Sequence, residues 1–164
     1  MIDSSTTAGA DAFEDMLREH GPMLARMARR YSDANDWQDL LQEMRLQLWR
    51  SCGSWDGRAQ HGTWVYRVAL NTALSHVRKP RRRHESLDEV PEPGCAGDPR
   101  DPMAVLDAFL ATLDPVQRSI LLLDLEGLDR EQIADVTGIS ANAVAIRMTR
   151  LRQSFEKNFM GEAS

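Results

Sequence analysis

A stretch rich in proline, glycine and acidic residues divides this chain of 164 residues into two short parts. Within residues 83–102 the helix-breaking residues are Pro91, Pro93, Gly94, Gly97, Pro99 and Pro102. This composition cannot bury enough apolar surface to offset the entropy of folding, so it predicts a flexible linker. Residues 10–82 and 103–160 are then predicted to be two small domains, each with a thin core of its own.

Apolar residues recur at helical spacing on both sides of this linker, and no stretch of useful length alternates as a strand would. Before the linker, the pattern predicts helices over residues 13–31, 36–50 and 63–78, with a break or kink at Gly21-Pro22. After it, the pattern predicts a short helix from Met103 and further helices over residues 115–125, 130–137 and 141–159, with Asp114 as the cap before Pro115. The predicted fold class is therefore all-α.

The last two of these helices are predicted to form a helix-turn-helix. Gly138 stands where the turn needs a positive φ angle, and Ser140 is suited to cap the second helix. The second helix begins with small residues such as Ala143, which let its backbone approach a groove floor. It then presents side chains suited to base edges and phosphates, namely Asn142, Arg147, Arg150 and Arg152. The alternative is a plain corner between two helices with surface arginines.

Positive charge is concentrated in one segment although the net charge is −5. The five basic residues of this cluster are Arg78, Lys79, Arg81, Arg82 and Arg83. Local charge density matters more than the total, because salt screens charges beyond roughly 8–10 Å. The cluster is either a solvated basic tail or a clamp for nucleic-acid phosphates.

An acidic stripe and an aromatic segment precede this cluster. The stripe consists of Asp36, Asp39 and Glu43, which recur at helical spacing. It is either a solvated helix face or a surface that binds a basic partner. Trp64 is predicted to lie at least partly in the core. Trp55 fits equally well as a stacking platform for a base or as a cap on the core.

Three motifs in order resemble a known family, the group IV (extracytoplasmic function, ECF) sigma factors of bacterial RNA polymerase. Residues 36–43 (DWQDLLQE) resemble its polymerase-binding motif, and residues 63–71 (TWVYRVALN) its promoter-melting helix. Residues 113–118 (LDPVQR) with 125–128 (LEGL) resemble the entry to its region 4. The resemblance implies a region 2 helical bundle at residues 10–82 and a region 4 helix-turn-helix at residues 103–160.

The resemblance also implies what these surfaces bind. Residues expected to contact core polymerase, through its beta-prime and beta subunits, are Asp36, Asp39, Leu40, Gln42 and Glu43. Residues expected at the minus-ten element of promoter DNA are Trp55, Trp64, Asn71, Arg78, Lys79, Arg81 and Arg82. Residues expected at the minus-thirty-five element are Ser140, Asn142, Ala143, Arg147 and Arg150. An anti-sigma protein is expected as a further partner.

Other classes of function find little support in the sequence. Cys52 and Cys95 lack the spacing of a zinc site or a disulfide pair, and reduced thiols are expected. No catalytic, cofactor or metal motif is visible, so we expect no enzyme activity. No signal peptide or membrane-spanning run is visible, which predicts a cytoplasmic protein without membrane insertion. The alternative function is a helix-turn-helix regulator that works without core polymerase.

Overall fold

The chain divides into two compact units, which are Met1–Lys79 and Pro80–Ser164. The computed structural model describes residues 4–55, 58, 60–79 and 101–160. All regular secondary structure within these ranges is helical, which confirms the all-α prediction. No helix in this part of the chain is long and apolar enough to cross a bilayer. The predicted linker lies outside the described residues except for its last two positions.

The N-terminal unit is built from three α-helices. They are α1 (Ser4–Tyr31), α2 (Trp37–Ser51) and α3 (His61–Arg78), with a 3-10 turn at Cys52–Ser54. Their facing sides supply a shared apolar core, whose buried members include Met16, Met23, Leu24, Met27, Leu40, Leu41, Met44, Leu48, Val65, Ala69 and Leu70. Each helix packs against both others, so the surfaces of α2 and α3 are held in a fixed relation.

Of the break or kink predicted at Gly21-Pro22, the break is wrong, because α1 runs through both residues. A residue before proline normally avoids the helical conformation, since its Cβ meets the proline ring. Gly21 has no Cβ and escapes that part of the clash. Burial of Met16 on one side and of Met23 and Leu24 on the other anchors both halves of the helix to the same core.

The C-terminal unit contains four α-helices with locally defined starts. They are α4 (Pro102–Thr112), α5 (Pro115–Leu125), α6 (Arg130–Thr137) and α7 (Ala141–Phe155), and a π-helical turn follows at Glu156–Met160. Each helix begins after a residue whose side chain accepts a hydrogen bond from its first turn: Asp101, Asp114, Asp129 and Ser140. The predicted caps at Asp114 and Ser140 are confirmed, whereas those at Asp101 and Asp129 were not predicted.

An aromatic cluster fixes the two ends of this unit together. The ring of Phe109, on α4, meets the rings of Phe155 and Phe159 edge-on, at centroid distances of 5.1 Å and 5.6 Å. Phe109 is almost fully buried, which contributes roughly 1.5–3 kcal/mol from apolar burial alone. The contact explains why the helical path continues past Phe155 to the end predicted near Phe159.

Candidate functional site

The acidic face of α2 is formed by Asp36, Asp39 and Glu43, and it is exposed at its first two members. Asp36 and Asp39 are both exposed, as is the neighbouring Gln42. Asp36 directly precedes the helix, yet its side chain accepts no capping hydrogen bond from it. Three of the five predicted polymerase contacts therefore lie on a solvent-facing surface that a partner can reach.

Leu40 does not belong to that surface. Its side chain is fully buried at 0% exposure, so Leu40 presents no surface for the predicted contact with polymerase, which stays a prediction. The position follows from helical geometry, since Leu40 shares a face with the buried Leu41 and Met44 rather than with Asp39. Leu40 instead anchors α2 against the core and thereby holds the acidic face in place.

Glu43 is only partly exposed and is already paired. Its Oε1 lies 2.8 Å from Nζ of Lys79, the residue after α3, and its Oε2 lies 3.8 Å from Nδ1 of His76. The carboxylate thus faces the end of α3 rather than open solvent. Sequence spacing could not have predicted this contact, because Glu43 and Lys79 are 36 positions apart.

A cluster of rings covers the start of α3. The ring of His61 meets Trp55 edge-on at 5.3 Å and is stacked with Trp64 at 6.0 Å, measured between centroids. Trp64 is 8% exposed, which confirms its predicted place in the core, whereas its contact with DNA stays a prediction. Trp55 is 41% exposed and touches His61, so it covers part of the ring cluster, and its stacking on a base stays a prediction.

His20 on α1 belongs to the same cluster, because its ring centroid lies 5.9 Å from that of His61. Its Nε2 is buried and has no hydrogen-bond partner. Burial lowers the pKa of His20, His61 lowers it further, and the carboxylate of Glu19 opposes the shift. The neutral imidazole is therefore the favoured form under the aromatic cluster.

The outward stripe of α3 carries polar and basic groups toward its C-terminal end. Asn71 and Arg78 are exposed, as the DNA-contact prediction requires, and Ser75 lies exposed between them. Arg67 is half-buried one turn before Asn71 and belongs to the same stripe, although it was not predicted as a site residue. Lys79 ends the stripe. Arg81 and Arg82 lie outside the described residues.

The helix-turn-helix has the predicted turn geometry. Gly138 adopts φ +77° and ψ +12°, and its amide donates to the carbonyl of Ala134 at 2.8 Å. Oγ of Ser140 accepts from the amide of Ala143 at 3.2 Å, which starts α7. Ile133 and Val144 are buried in the corner between α6 and α7. These contacts fix the direction in which α7 leaves the turn.

One face of α7 is exposed to solvent, and the residues along it recur every four positions. Asn142, Ile146 and Arg150 are all exposed on it, and Ile146 is 46% exposed despite its apolar side chain. Arg147 and Ala143 are half-buried at the flank of this face. Ile146 was not predicted as a site residue. Its four-residue spacing from both Asn142 and Arg150 is the signal that identifies it.

The described residues contain neither a metal-binding cluster nor a reactive thiol. No three His, Cys, Asp or Glu side chains converge there as metal ligands would. Cys52 is a free thiol after α2, and partial burial raises its pKa, which keeps it protonated near neutral pH. Cys95 lies outside the described residues.

Comparison with known proteins places both units in one family. The family model "Sigma-70 region 2" matches residues 16–83, and "Sigma-70, region 4" matches residues 103–155. An ECF RNA polymerase sigma-E factor of Haemophilus influenzae is 28% identical over 162 residues, covering 88% of this chain and 86% of that protein. RNA polymerase sigma factor CarQ of Myxococcus xanthus is 34% identical over 151 residues, covering 85% and 84%.

Solved structures share the fold. The sigma factor RpoE of Bartonella quintana, crystallised with the anti-sigma factor NepR, matches with a TM-score of 0.71 at 19% identity, over 93% of this chain and 99% of that one. A helix-turn-helix regulator that works without polymerase does not account for the match to region 2. The two matched regions occur in one chain in this order, and the protein therefore belongs to the sigma-70 family, as an ECF sigma factor that directs transcription initiation by RNA polymerase.

Proposed function

We propose that α2 docks the protein on core polymerase through Asp36, Asp39 and Gln42, with Glu43 at the edge of the contact. Exposed carboxylates at helical spacing complement a basic groove, which the beta-prime and beta subunits would supply. Reversing an exposed charge changes stability by only about 0–1 kcal/mol, whereas opposing a like charge at an interface costs several. Hence Asp39→Lys is expected to weaken core binding and leave the fold intact.

The start and outer stripe of α3 are proposed to hold the minus-ten element. The indole of Trp55 is 41% exposed, and an unstacked base is proposed to stack on it, a contact worth about 1–3 kcal/mol. Asn71 supplies an amide for a base edge, and Arg78 and Lys79 bind phosphates on the same side of the helix. Arg81 and Arg82 extend this basic cluster along the sequence. Trp64 supports Trp55 through His61.

The minus-thirty-five element is proposed to bind α7, and the exposed face of this helix is the observation that carries the assignment. Asn142 and Arg150 have the side chains best suited to bidentate contacts with adenine and guanine. Ile146 stands between them, where an apolar contact with a thymine methyl group fits. Ser140 and Ala143 position the start of α7 close to the DNA backbone. Arg147, at the flank, is better placed for a phosphate than for a base.

The remaining proposals concern partners and setting. The Bartonella quintana relative was crystallised with an anti-sigma factor, and we propose that a protein of that kind also restrains this chain. Core polymerase and promoter DNA are cytoplasmic, so the protein is proposed to act there. Its role is to bind and position, since sigma factors are not enzymes as a class, and we propose that it catalyses no reaction.

Run-off transcription with purified core polymerase on a pool of genomic fragments tests the function. The full chain is expected to confer initiation at a limited set of fragments with a common upstream and downstream element. Arg150→Ala is expected to lose about 1–3 kcal/mol at the upstream element with relaxed preference there. Replacing Arg78 is expected to weaken all fragments alike and to flatten the salt dependence. Initiation that is independent of the added protein would refute the proposal.

A further inference from the structure

The ion pair between Glu43 and Lys79 joins two surfaces that the proposed function assigns to different partners. Glu43 belongs to the acidic face on α2, and Lys79 follows the last residue of α3. Their charged atoms lie 2.8 Å apart, and His76 approaches the second carboxylate oxygen. In the protein by itself, the carboxylate nearest to the DNA-binding surface is therefore directed toward that surface.

We propose that Glu43 is a positioning residue that couples polymerase binding to DNA binding, because Lys79 and a basic polymerase surface compete for its carboxylate. The inference rests on the function proposed above for α2 and for the end of α3. When core polymerase takes Glu43, the ammonium group of Lys79 becomes available to a DNA phosphate. When a phosphate takes Lys79, Glu43 becomes available to polymerase, and linkage requires both effects to be equal in size.

The exposure of the pair sets the size of the coupling. The side chain of Lys79 is 60% exposed and that of Glu43 is 30% exposed, so water and salt screen their attraction. Exposed ion pairs of this kind change an equilibrium by about two- to five-fold. The coupling therefore adjusts affinity within that range and acts in both directions, without excluding DNA from the protein alone.

A double-mutant cycle on core polymerase tests one direction. Glu43→Gln, Lys79→Gln and the double variant of the full chain are titrated with core polymerase in the absence of DNA, by fluorescence anisotropy. Lys79→Gln is expected to raise core affinity about two- to five-fold in the wild-type background and to have no effect beside Glu43→Gln. Arg78→Gln is the matched control, because it removes the same charge one residue earlier. Its effect is expected to be equal in both backgrounds.

Promoter DNA tests the reverse direction. The free protein is titrated with a forked promoter duplex at several salt concentrations. Glu43→Gln is expected to raise DNA affinity by the same factor and to steepen the plot of log affinity against log salt by about one. Neither the gain in DNA affinity nor the steeper salt dependence is expected when Glu43→Gln is made in a chain that already carries Lys79→Gln. Asp39→Asn, one turn earlier on the acidic face, removes one charge as a control and is expected to be additive with Lys79→Gln.

The outcomes separate this inference from the function on which it rests. Additive effects in either cycle overturn the coupling while the sigma-factor assignment of both surfaces stands. The coupling is equally overturned if both single variants lower the thermal midpoint without changing either affinity, since the pair then only braces α2 against α3. A wild-type chain that fails to bind core polymerase overturns the coupling and the proposed docking surface together.

Discussion

Replacing Gly138 with alanine tests whether the turn between α6 and α7 depends on its left-handed backbone. At φ +77° an alanine pays about 1–2 kcal/mol in conformational energy, offset by about 0.4–1 kcal/mol of reduced entropy in the unfolded chain. A Cβ at this position meets no atom within 4 Å, so no steric term adds to this cost. The expected loss is about 1 kcal/mol, which lowers the melting temperature of a 60-residue domain by roughly 4–8 °C.

The distribution of tryptophan lets one sample report on both units. All four tryptophans lie within the first 64 residues, so tryptophan fluorescence follows the N-terminal unit, whereas far-ultraviolet circular dichroism follows both. Gly138→Ala is expected to shift a dichroism transition and leave the fluorescence transition unchanged. Gly138→Asn is the matched control and is expected to recover most of the loss, since asparagine tolerates this conformation.

A second control makes the same chemical change where it is expected to stabilise. Gly62 lies in the first turn of α3, and an added Cβ there meets only Cε1 of His20, at an ordinary 3.6 Å. Gly62→Ala is therefore expected to raise the free energy of unfolding of the N-terminal unit, followed by fluorescence, by about 0.5 kcal/mol. The turn does not depend on its left-handed backbone if Gly138→Ala leaves the dichroism transition in place, or if Gly138→Asn loses as much stability as Gly138→Ala.

Three further predictions concern His20, Ile146 and Phe109. The folded-state pKa of His20 lies below its unfolded value of about 6.5, so protonation favours unfolding. Stability of the N-terminal unit is then expected to fall as the pH drops below about 6.5, and urea titrations followed by fluorescence are expected to show a flatter profile for His20→Gln. Replacing thymine by uracil in the upstream element is expected to cost wild-type protein about 0.8 kcal/mol of binding and Ile146→Ala nothing; equal losses in a gel-shift titration would rule out the methyl contact. Phe109→Ala is expected to remove about 3–5 kcal/mol from the C-terminal unit alone, and a shifted fluorescence transition would contradict the independence of the units.

Local signals made the boundaries of the C-terminal unit predictable from sequence. Asp114 before Pro115, Gly138 and Ser140 each act through bonds to residues two to four positions away, and the structure confirms all of them. A cap or a positive φ angle is a property of a few neighbouring residues, so its chemistry is visible in the chain. The break at Gly21-Pro22 was wrong for the opposite reason, since packing of α1 on two other helices decides the outcome there.

Burial and pairing of individual site residues could not be predicted in the same way. Leu40 and Trp64 stand inside motifs that are proposed to contact partners, yet both side chains are buried in the core. A motif marks a helix, whereas the direction of each side chain depends on where the neighbouring helices lie. The bond between Glu43 and Lys79 is likewise a product of the tertiary fold, because it brings together the second and third helices.

The side-chain cap at the start of each α-helix in the C-terminal unit has a consequence for its lifetime in a cell. Helices with locally encoded starts need little loop closure before native contacts form, and small helical domains of this kind fold in microseconds to milliseconds. Refolding at that speed is expected to be faster than cleavage of the opened chain by a protease. Degradation then follows the equilibrium population of the unfolded form rather than the rate of unfolding. A loss of about 1.4 kcal/mol in this unit, such as removal of one cap, would raise that population tenfold and shorten the survival of the protein in proportion.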